Sequence, residues 1–565
     1  MSGKDLRAFL QKLEALGELS RIKAPVSPIL EITEIADRVS KTHGRALLFE
    51  NVEGSRYPVF INAVGSDRRM ALSLGAESLD EIADGLSAYL DFSHYTSIGG
   101  VLSFLPKLLR LTCCFPLRVP LGNAACQQVV ERSPDLSALP VLQCWPLDGG
   151  RFLTLPLVFT KYPDAKVQNI GMYRMQVLSK NTTAIHWQKH KDGSAIYEAW
   201  RAHGGRMPVS VALGCGPAVS YAATAPLPPK LDELMLAGFL QKRPVTLTRC
   251  VTNGLWVPCD AQFVLEGYVD TEEAPVREGP FGDHTGYYSL ADWYPRFHVT
   301  CITRQRNPIY PATVVGRPPM EDCYLAKATE RIFLPILRIS IPQLADLSLP
   351  FPGVFHNCAV VSVKNDFPGA ARTVMNAIWG MGQMRCTKLI VAVDAGVDPS
   401  SYDAVVSAIL QNTDFEKDLV ISMGPLDALD HSSDQALYGA RLGVDATRKP
   451  GARIRTGKLH FLPVQKSAAG DGKRAAEAFL RSSPDVKLAV AVDDTVNLCN
   501  RQEVLWRVFN NIDAARDLTV ENGRAALDAT TKLPSEGLTR PWPQDIMMSP
   551  DIREQVDRRW EEYGL

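Results

Sequence analysis

Two segments of the chain concentrate the residue types that acid–base chemistry needs. The first, QNIGMYRMQ at 168–176, contains Arg174, and the second, REGPFGDHTGY at 277–287, contains Glu278 and Asp283. Glycine lets a backbone approach a ligand closely, so the second segment is predicted to be a loop or strand end at a binding site. Two carboxylates held near one arginine can have pKa values that are pushed apart, as a general acid and base require. The alternative interpretation is an ion-pair network with a purely structural role.

Histidines mark a third segment, TAIHWQKH at 183–190. His186 and His190 have the i, i+4 spacing that would bind a metal on a helix. The neighbouring sequence indicates a strand and a turn instead, so we do not predict a two-histidine site. His190 and His284 are interpreted as ordinary core or surface side chains.

The bulk properties exclude several classes of protein. A chain of 565 residues predicts two to four domains, and a net charge of -1 argues against nucleic-acid binding. The N-terminal stretch is predicted to be an amphipathic helix rather than a signal peptide, and no stretch has the roughly 20 apolar residues of a membrane span. Twelve scattered cysteines predict reduced thiols and a cytoplasmic location. Phosphate-loop, HExxH and GxSxG motifs are absent from the sequence.

The succession of helical and strand-like segments along the sequence predicts an α/β fold class (α+β overall). The boundaries expected from it are an N-terminal α/β unit at 1–125, a barrel-like or split-sheet domain at 126–318, a helical linker at 319–353, C-terminal α/β repeats at 354–450 and 451–534, and a tail helix at 535–565.

The C-terminal third contains an internal duplication. KLIVAVD at 388–394 recurs as KLAVAVD at 487–493, and DATRK at 445–449 recurs as DATTK at 528–532. Each copy has the strand, helix, strand pattern of a parallel α/β layer.

The motifs EGPFGDHTGYY, NIGMYRMQ and IHWQKHKDG, together with LDELMLAG at 231–238, resemble the UbiD family of prenylated-FMN-dependent decarboxylases. The resemblance implies that the central domain is a split β-barrel that binds flavin and that the C-terminal domain serves oligomerisation. It also implies a flavin prenyltransferase of the UbiX type as supplier of the cofactor.

The resemblance implies roles for individual residues. Arg174, Glu278 and Asp283 match the catalytic charge network, with Asp283 as the proton donor, which must be neutral when it acts. Asn169, His186 and Glu233 match the ligands of Mn²⁺ or Mg²⁺, with K⁺ as a further ion. The positions that match the cofactor-binding set are Asn169, Met172, Tyr173, Arg174, His186, Trp187, Gln188, Lys191, Asp192 and Glu233.

The family implies decarboxylation, and four functions remain open. The first is a decarboxylase of quinone biosynthesis acting on 4-hydroxy-3-polyprenylbenzoate or a dihydroxynaphthoate, with the menaquinone-linked members favoured over the ubiquinone type. The second is a reversible carboxylase of small phenolic, heteroaromatic or polyaromatic acids. A flavin-binding scaffold and a flavin oxidoreductase represent other classes. Besides its aromatic acid and CO₂, the chain is expected to contact copies of itself in a homodimer or larger oligomer, and membranes only peripherally.

Overall fold

The chain divides into two units. The computed structural model describes residues 5–91, 96–122, 124–189, 191–227 and 231–565, so His190 lies outside the described residues. The first unit comprises Met1–Ala328 and Asp545–Leu565, and the second comprises Thr329–Gln544.

The first unit contains most of the strands. Its helices are α1 (Leu6–Ala15), α2 (Glu31–Lys41), α3 (Asp67–Ser73), α4 (Leu79–Leu90), α5 (Ile98–Arg110), α6 (Asp192–His203), α7 (Pro217–Ala222), α8 (Glu233–Gln241) and the start of α9 (Glu321–Ser340). Its strands are β1 (Leu19–Ile22), β2 (Ala46–Phe49), β3 (Val59–Ile61), β4 (Leu117–Val119), β5 (Val129–Glu131), β6 (Phe152–Leu153), β7 (Leu157–Thr160), β8 (Asn169–Met172), β9 (Met175–Val177), β10 (Thr182–Ile185), β11 (Arg206–Leu213), β12 (Thr246–Arg249), β13 (Trp256–Pro258), β14 (Phe263–Asp270), β15 (Val276–Glu278), β16 (Phe281–Gly282), β17 (Tyr288–Ser289), β18 (Asp292–Tyr294), β19 (Arg296–Arg304) and β20 (Tyr310–Pro311).

The second unit holds the remaining elements except the last helix. Its helices are α10 (Ala370–Trp379), α11 (Tyr402–Asn412), α12 (Asp471–Ser482), α13 (Arg501–Asn511) and α14 (Ala514–Asp517). Its strands are β21 (Leu344–Ser348), β22 (Cys358–Val363), β23 (Leu389–Asp394), β24 (Leu419–Pro425), β25 (Tyr438–Asp445), β26 (Lys458–Val464), β27 (Val486–Asp493), β28 (Leu518–Glu521) and β29 (Arg524–Asp528). The chain then ends with α15 (Pro550–Arg559) in the first unit.

A nine-stranded antiparallel sheet dominates the first unit. Its order is β6-β9-β10-β19-β14-β11-β7-β8, and β5 pairs with β19. Only two residues join β8, at one end of this order, to β9, next to the other end. Since so short a connection spans at most about 10 Å, the sheet must curl until its ends meet. The mixed fold class and the curled central sheet are confirmed.

The N-terminal sheet extends beyond the predicted unit. Its order is β1-β2-β3-β20, so residues 310–311 complete a sheet that the sequence assigned to 1–125. Helix α1 is capped by Asp5, whose side chain accepts from the backbone N–H of Ala8 at 2.8 Å. The face of α1 that is buried consists of Leu6, Phe9, Leu10 and Leu13.

Two predicted helical segments are only partly helical. Within 319–353, helix α9 ends at Ser340 and β21 follows as the edge strand of the next sheet, where Leu344 and Leu347 are buried. Within 535–565, regular helix begins only at Pro550. Pro at the first helical position is typical of such a start.

The duplication is repeated in the topology of the second unit. The order β22-β23-β25-β24 of the first copy matches β26-β27-β29-β28 of the second, with two parallel pairings followed by one antiparallel pairing. In the first copy β21 adds an outer antiparallel strand. Among the helices of the described ranges, none combines the length and the apolar character that a membrane crossing needs.

Candidate active site

Arg174 lies at the seam where the two ends of the central sheet meet. Its side chain is only 8% exposed. Nε donates to Glu278 Oε1 at 2.7 Å, and Nη2 donates to Glu278 Oε2 at 3.1 Å and to Ser289 Oγ at 2.9 Å. Nη1 donates to Asp283 Oδ2, and the guanidinium carbon stands 4.6 Å from the centre of the Phe281 ring. The structure thus brings Arg174 together with two predicted carboxylates that lie more than 100 positions further along the sequence.

The loop from Glu278 to Asp283 depends on two glycines. Gly279 adopts a positive φ of 91°, which L side chains rarely adopt. A Cβ at Gly282 would stand 2.2 Å from the Trp145 ring, so a side chain there would displace the indole. These glycines allow the two carboxyls to approach one guanidinium.

Both carboxyls are held in the ionised form. Burial alone would raise the pKa of Glu278, but Arg174 and His186 outweigh it and lower the pKa to about 2. Burial is likewise outweighed at Asp283, where Arg174 and His284 hold the pKa below its ordinary value. In the protein without substrate, Arg174 therefore favours the carboxylate of Asp283, and the neutral form that a proton donor needs would have to arise during turnover.

His186 belongs to the charge network. Its Nδ1 lies 3.0 Å from Glu278 Oε2, and its ring packs 4.3 Å from that of Tyr294. Burial and the charge of Arg174 lower the pKa of His186, which favours the neutral imidazole. No hydrogen bond or ion pair found among the described residues joins His186 to Asn169 or Glu233, its expected companions at the metal.

Asn169 and Glu233 form a separate cluster of oxygen atoms. Asn169 Nδ2 donates to Glu233 Oε1 at 2.9 Å, and the backbone N–H of Ile170 donates to Glu233 Oε2 at 3.3 Å. Asn169 Oδ1 is buried and accepts no hydrogen bond from the described residues, and burial raises the pKa of Glu233 to about 7. A buried carbonyl oxygen without a donor beside a desolvated carboxyl fits a divalent cation. Within the described ranges, no group of three or more His, Cys, Asp and Glu side chains is arranged to hold a metal.

Two aromatic residues of the expected cofactor-binding set pack on glycines. The backbone N–H of Gly193 donates to Tyr173 Oη at 3.2 Å, and a Cβ at Gly193 would stand 2.7 Å from the Trp187 ring. Trp187 is buried, yet its indole N–H has no acceptor among the described residues. A buried donor without an acceptor indicates a position where a ligand supplies one.

The other residues expected to contact the cofactor lie on either side of this aromatic pair. Met172 ends β8 and is half-buried. Gln188 and Lys191, both half-buried, lie between β10 and α6, and Asp192 is the exposed first residue of α6.

The sequence interpretation missed several contacts of the network. Ser289 and Phe281 contact Arg174, and Tyr294 packs on His186. His284, interpreted as an ordinary side chain, has its Nδ1 3.1 Å from Asp283 Oδ1. Asp322 in the segment GRPPMED at 316–322 also interacts electrostatically with His284. The proximity of His284 to Asp283 in the sequence was the available signal, whereas nothing local indicated Tyr294 or Asp322.

Family models match most of the chain. The N-terminal, Rift-related and C-terminal domains of 3-octaprenyl-4-hydroxybenzoate carboxy-lyase, the UbiD domains, match residues 10–86, 118–318, and 323–446 with 455–537. An uncharacterized protein of Aquifex aeolicus is 38% identical over 564 residues, which cover 100% of this chain and 99% of that protein. An uncharacterized protein of Archaeoglobus fulgidus is 48% identical over 460 residues, 80% of this chain and 92% of that protein.

Solved structures share the fold. The open form of vanillic acid decarboxylase from Sedimentibacter hydroxybenzoicus has a TM-score of 0.69 and 25% identity, covering 85% of this chain and 99% of that one. The UbiD-class enzyme HmfF from Pelotomaculum thermopropionicum in complex with FMN has a TM-score of 0.68 and 23% identity, covering 82% of this chain and 98% of that one.

Proposed function

Because the chain belongs to the UbiD family of carboxy-lyases, we propose that it is a non-oxidative decarboxylase of a hydroxylated aromatic acid that uses prenylated FMN and a divalent metal. The observation that carries this proposal is the convergence of Arg174, Glu278 and Asp283 in one buried network. An ion-pair network with a purely structural role would not need its carboxylates placed on a loop that requires glycine at 279 and 282.

The chemistry of the reaction explains the need for a cofactor. Loss of CO₂ from an sp² carbon leaves an electron pair in an orbital orthogonal to the ring, and no side chain accepts it. Prenylated FMN, when bound, would supply the electron sink. The FMN complex of HmfF supports a flavin at this fold.

Arg174 is the residue that would bind the substrate carboxylate, because its planar fork matches two oxygens. Its described hydrogen bonds engage four of its five N–H groups, one on Nε, one on Nη1 and two on Nη2. When Asp283 takes up a proton, its hold on Nη1 weakens and both Nη1 hydrogens can turn to the substrate. Protonation of Asp283 thereby prepares substrate binding and the later transfer of a proton to carbon, while Glu278 keeps Arg174 in place.

Asn169 and Glu233 would hold Mn²⁺ or Mg²⁺ through oxygen atoms. The buried Asn169 Oδ1 is the observation that supports this assignment. The flavin and its phosphate would be surrounded by Trp187, Tyr173, Met172, Gln188, Lys191 and Asp192. Since the ring of His186 is engaged with Glu278, we assign His186 to the charge network rather than to the metal.

Two substrate classes are supported by different observations. The family description names a polyprenylated hydroxybenzoate, which supports an acid of quinone biosynthesis, either that compound or a dihydroxynaphthoate. The structural similarity to vanillic acid decarboxylase supports a small phenolic acid, and the reversible reaction would then also carboxylate. Both classes are aromatic acids that carry a hydroxyl group.

The test is release of CO₂ from each candidate acid by purified protein loaded with prenylated FMN. Asp283→Asn should abolish product release while leaving flavin content unchanged, because an amide cannot protonate carbon. Asp270→Asn is a matched control, since Asp270 lies at the end of β14 with a 30% exposed side chain. Turnover by Asp283→Asn at the wild-type rate would contradict the assignment.

The same preparation separates decarboxylation from the other classes. The absorption spectrum and mass of the extracted flavin identify the cofactor. Plain FMN that a nicotinamide donor reduces reversibly would indicate an oxidoreductase, and bound flavin without any turnover would indicate a scaffold.

The proposal includes partners that the cofactor and fold imply. A flavin prenyltransferase of the UbiX type would supply the cofactor, and the chain would form a homodimer or larger oligomer in the cytoplasm. We expect the second repeat to contribute to subunit contacts. Sedimentation velocity of the full chain and of a variant lacking 455–537 tests this, and an unchanged number of subunits would contradict it.

A further inference from the structure

Asp283 must gain a proton in every turnover if it acts as the donor. Its Oδ2 accepts from Arg174, and its Oδ1 accepts from the backbone N–H of His284 at 2.8 Å and faces His284 Nδ1 at 3.1 Å. These contacts stabilise the carboxylate rather than the acid. A group in contact with Asp283 therefore has to deliver a proton after each transfer to carbon.

His284 is the neighbour that can do so. Arg174 keeps its protons at any physiological pH, whereas an imidazole exchanges one near neutrality. The His284 side chain is 20% exposed, against 8% for Arg174 and 11% for Asp283, so it reaches solvent more readily than the groups that it serves. His186 cannot deliver the proton to Asp283, because its ring contacts Glu278 and is only 9% exposed.

Asp322 lies in the first turn of α9 and is near enough to His284 for the two side chains to interact electrostatically. Its Oδ1 is buried and accepts no hydrogen bond from the described residues. Burial raises the pKa of Asp322 to about 7, the charge of His284 lowers it, and Asp283 and Glu321 add to the rise. The adjacent Glu321, unlike Asp322 Oδ1, has hydrogen-bond donors on both carboxyl oxygens. It accepts from the backbone N–H of Val64 at 2.9 Å and from Thr313 Oγ1 at 2.8 Å.

From this arrangement, and resting on the proposed decarboxylation, we propose that His284 returns protons to Asp283 and that Asp322 is the positioning residue that stabilises the charged imidazole. The N–H bond at His284 Nδ1 breaks as an O–H bond forms at Asp283 Oδ1, and His284 then takes a proton from water. No oxidant or reductant is needed. In the carboxylation direction the same proton moves from Asp283 through His284 to solvent. The charged groups that the described contacts place near His284 include Asp283 on its own loop and Asp322 on α9, while Arg174 on the seam holds the other oxygen of Asp283.

The Asp322–His284 pair can be tested without turnover. NMR titration of the ring-labelled histidines, with His284→Gln to assign the signal, measures the pKa of His284 in the holoenzyme. Asp322→Asn should lower that pKa by about one unit, because the anion that favours the imidazolium is lost. Glu321→Gln on the same helical turn is the matched control and should change the pKa of His284 less than Asp322→Asn does, because Glu321 accepts from Val64 and Thr313 and acts on Asp322. A His284 pKa that is the same in Asp322→Asn as in the wild type overturns the role of Asp322.

The relay itself is tested by kinetics. His284→Gln keeps a polar side chain but cannot carry a proton, so kcat should fall about a hundredfold while KM changes little, and added imidazole should restore part of the rate. A kcat within about twofold of the wild type overturns the relay, and so does a loss that imidazole does not restore. If the wild type releases CO₂ and Asp283→Asn does not, the proposed function stands whatever His284→Gln shows. If no acid is decarboxylated by the wild type, the proposed function fails instead.

Discussion

At the scale of single residues, the candidate site is a chain of charges around one guanidinium. His186 contacts Glu278, Arg174 bridges Glu278 and Asp283, and His284 contacts Asp283. The two carboxylates leave this group with one net negative charge when both histidines are neutral. The net negative charge therefore favours the uptake of a proton by the network, although each carboxylate alone is a weak base.

His186 offers a direct test of where the metal binds. We expect His186→Asn to retain its Mn²⁺, measured as metal per protein by elemental analysis, while kcat falls about tenfold or more, because the support of Glu278 is weakened. Glu233→Gln should lose the metal, since a neutral amide replaces a carboxylate ligand. Loss of metal from His186→Asn would instead restore His186 to the set of ligands expected from the sequence.

Glu233 predicts a link between pH and metal binding. Its pKa is raised from an ordinary 4.5 to about 7, so the metal-free protein loses stability as pH rises through that window. Mn²⁺ binds the ionised carboxylate, and the increase in unfolding temperature on adding Mn²⁺ should be larger at about pH 8 than at about pH 5. Glu233→Gln should remove this difference, and Glu198→Gln on the exposed surface should keep it. Equal increases at both pH values would contradict the assignment.

At the scale of elements, the duplication conserves an ion cluster as well as a topology. Lys449 Nζ lies 3.2 Å from Asp418 and 3.4 Å from Asp445, and Lys532 Nζ lies 3.3 Å from Asp517 and 3.2 Å from Asp528. The recurring DATxK motif supplies the lysine and one aspartate of each cluster. This contact explains why the motif persists in both copies while the loop before it differs in length.

The two lysines should differ in their contribution to stability. Lys532 is 1% exposed with both partners 3% exposed, whereas Lys449 is 25% exposed. Lys532→Met leaves the buried Asp528 without its ion-pair partner, while Asp517 keeps Arg516, and should lower the free energy of unfolding by about 3 kcal/mol. Lys449→Met should cost about 1 kcal/mol or less, because solvent screens its partners. Urea unfolding followed by circular dichroism measures both variants, and equal losses would contradict the argument from burial.

At the scale of the whole molecule, the last residues of the chain, Asp545–Leu565, belong to the first unit. Helix α15 packs on α2, where Tyr563 Oη donates to Glu31 Oε1 at 2.8 Å and Arg559 contacts the same carboxyl. Glu31 is 1% exposed, and the tail supplies its ion-pair partner, Arg559. The deletion of 455–537 in the oligomer test keeps this helix in place.

Removal of residues 549–565 should therefore destabilise the first unit. Glu31 would keep its bond from the backbone N–H of Ser27 but lose its cation, and α2 would lose its apolar contact with Val556. We expect faster hydrogen exchange, read by mass spectrometry, in α2 and β1–β3 and unchanged exchange in β22–β29. Glu562→Gln, which removes only an exposed partner of Arg559, is the control. Unchanged exchange in α2 after truncation would show that the tail is dispensable.

The sequence by itself determined the elements, the duplication and the family. The apolar face of α1, the strands at 46–49 and 389–394, and the repeated motifs depend on local periodicity, which the chain carries without reference to its fold. The motifs around Arg174, Glu278 and Asp283 were recognisable because glycines and charges lie within short segments.

Only the tertiary structure decided which groups touch. His186 contacts Glu278, β20 completes the first sheet, and Asp322 interacts electrostatically with His284. These interactions join residues from about 38 to 250 positions apart, and no local pattern encodes such distances. The ionised state of Asp283 likewise follows from Arg174, which reaches it only because a curled sheet closes its seam there. Charge states are properties of the packed neighbourhood, and the packing exists only once the chain has folded.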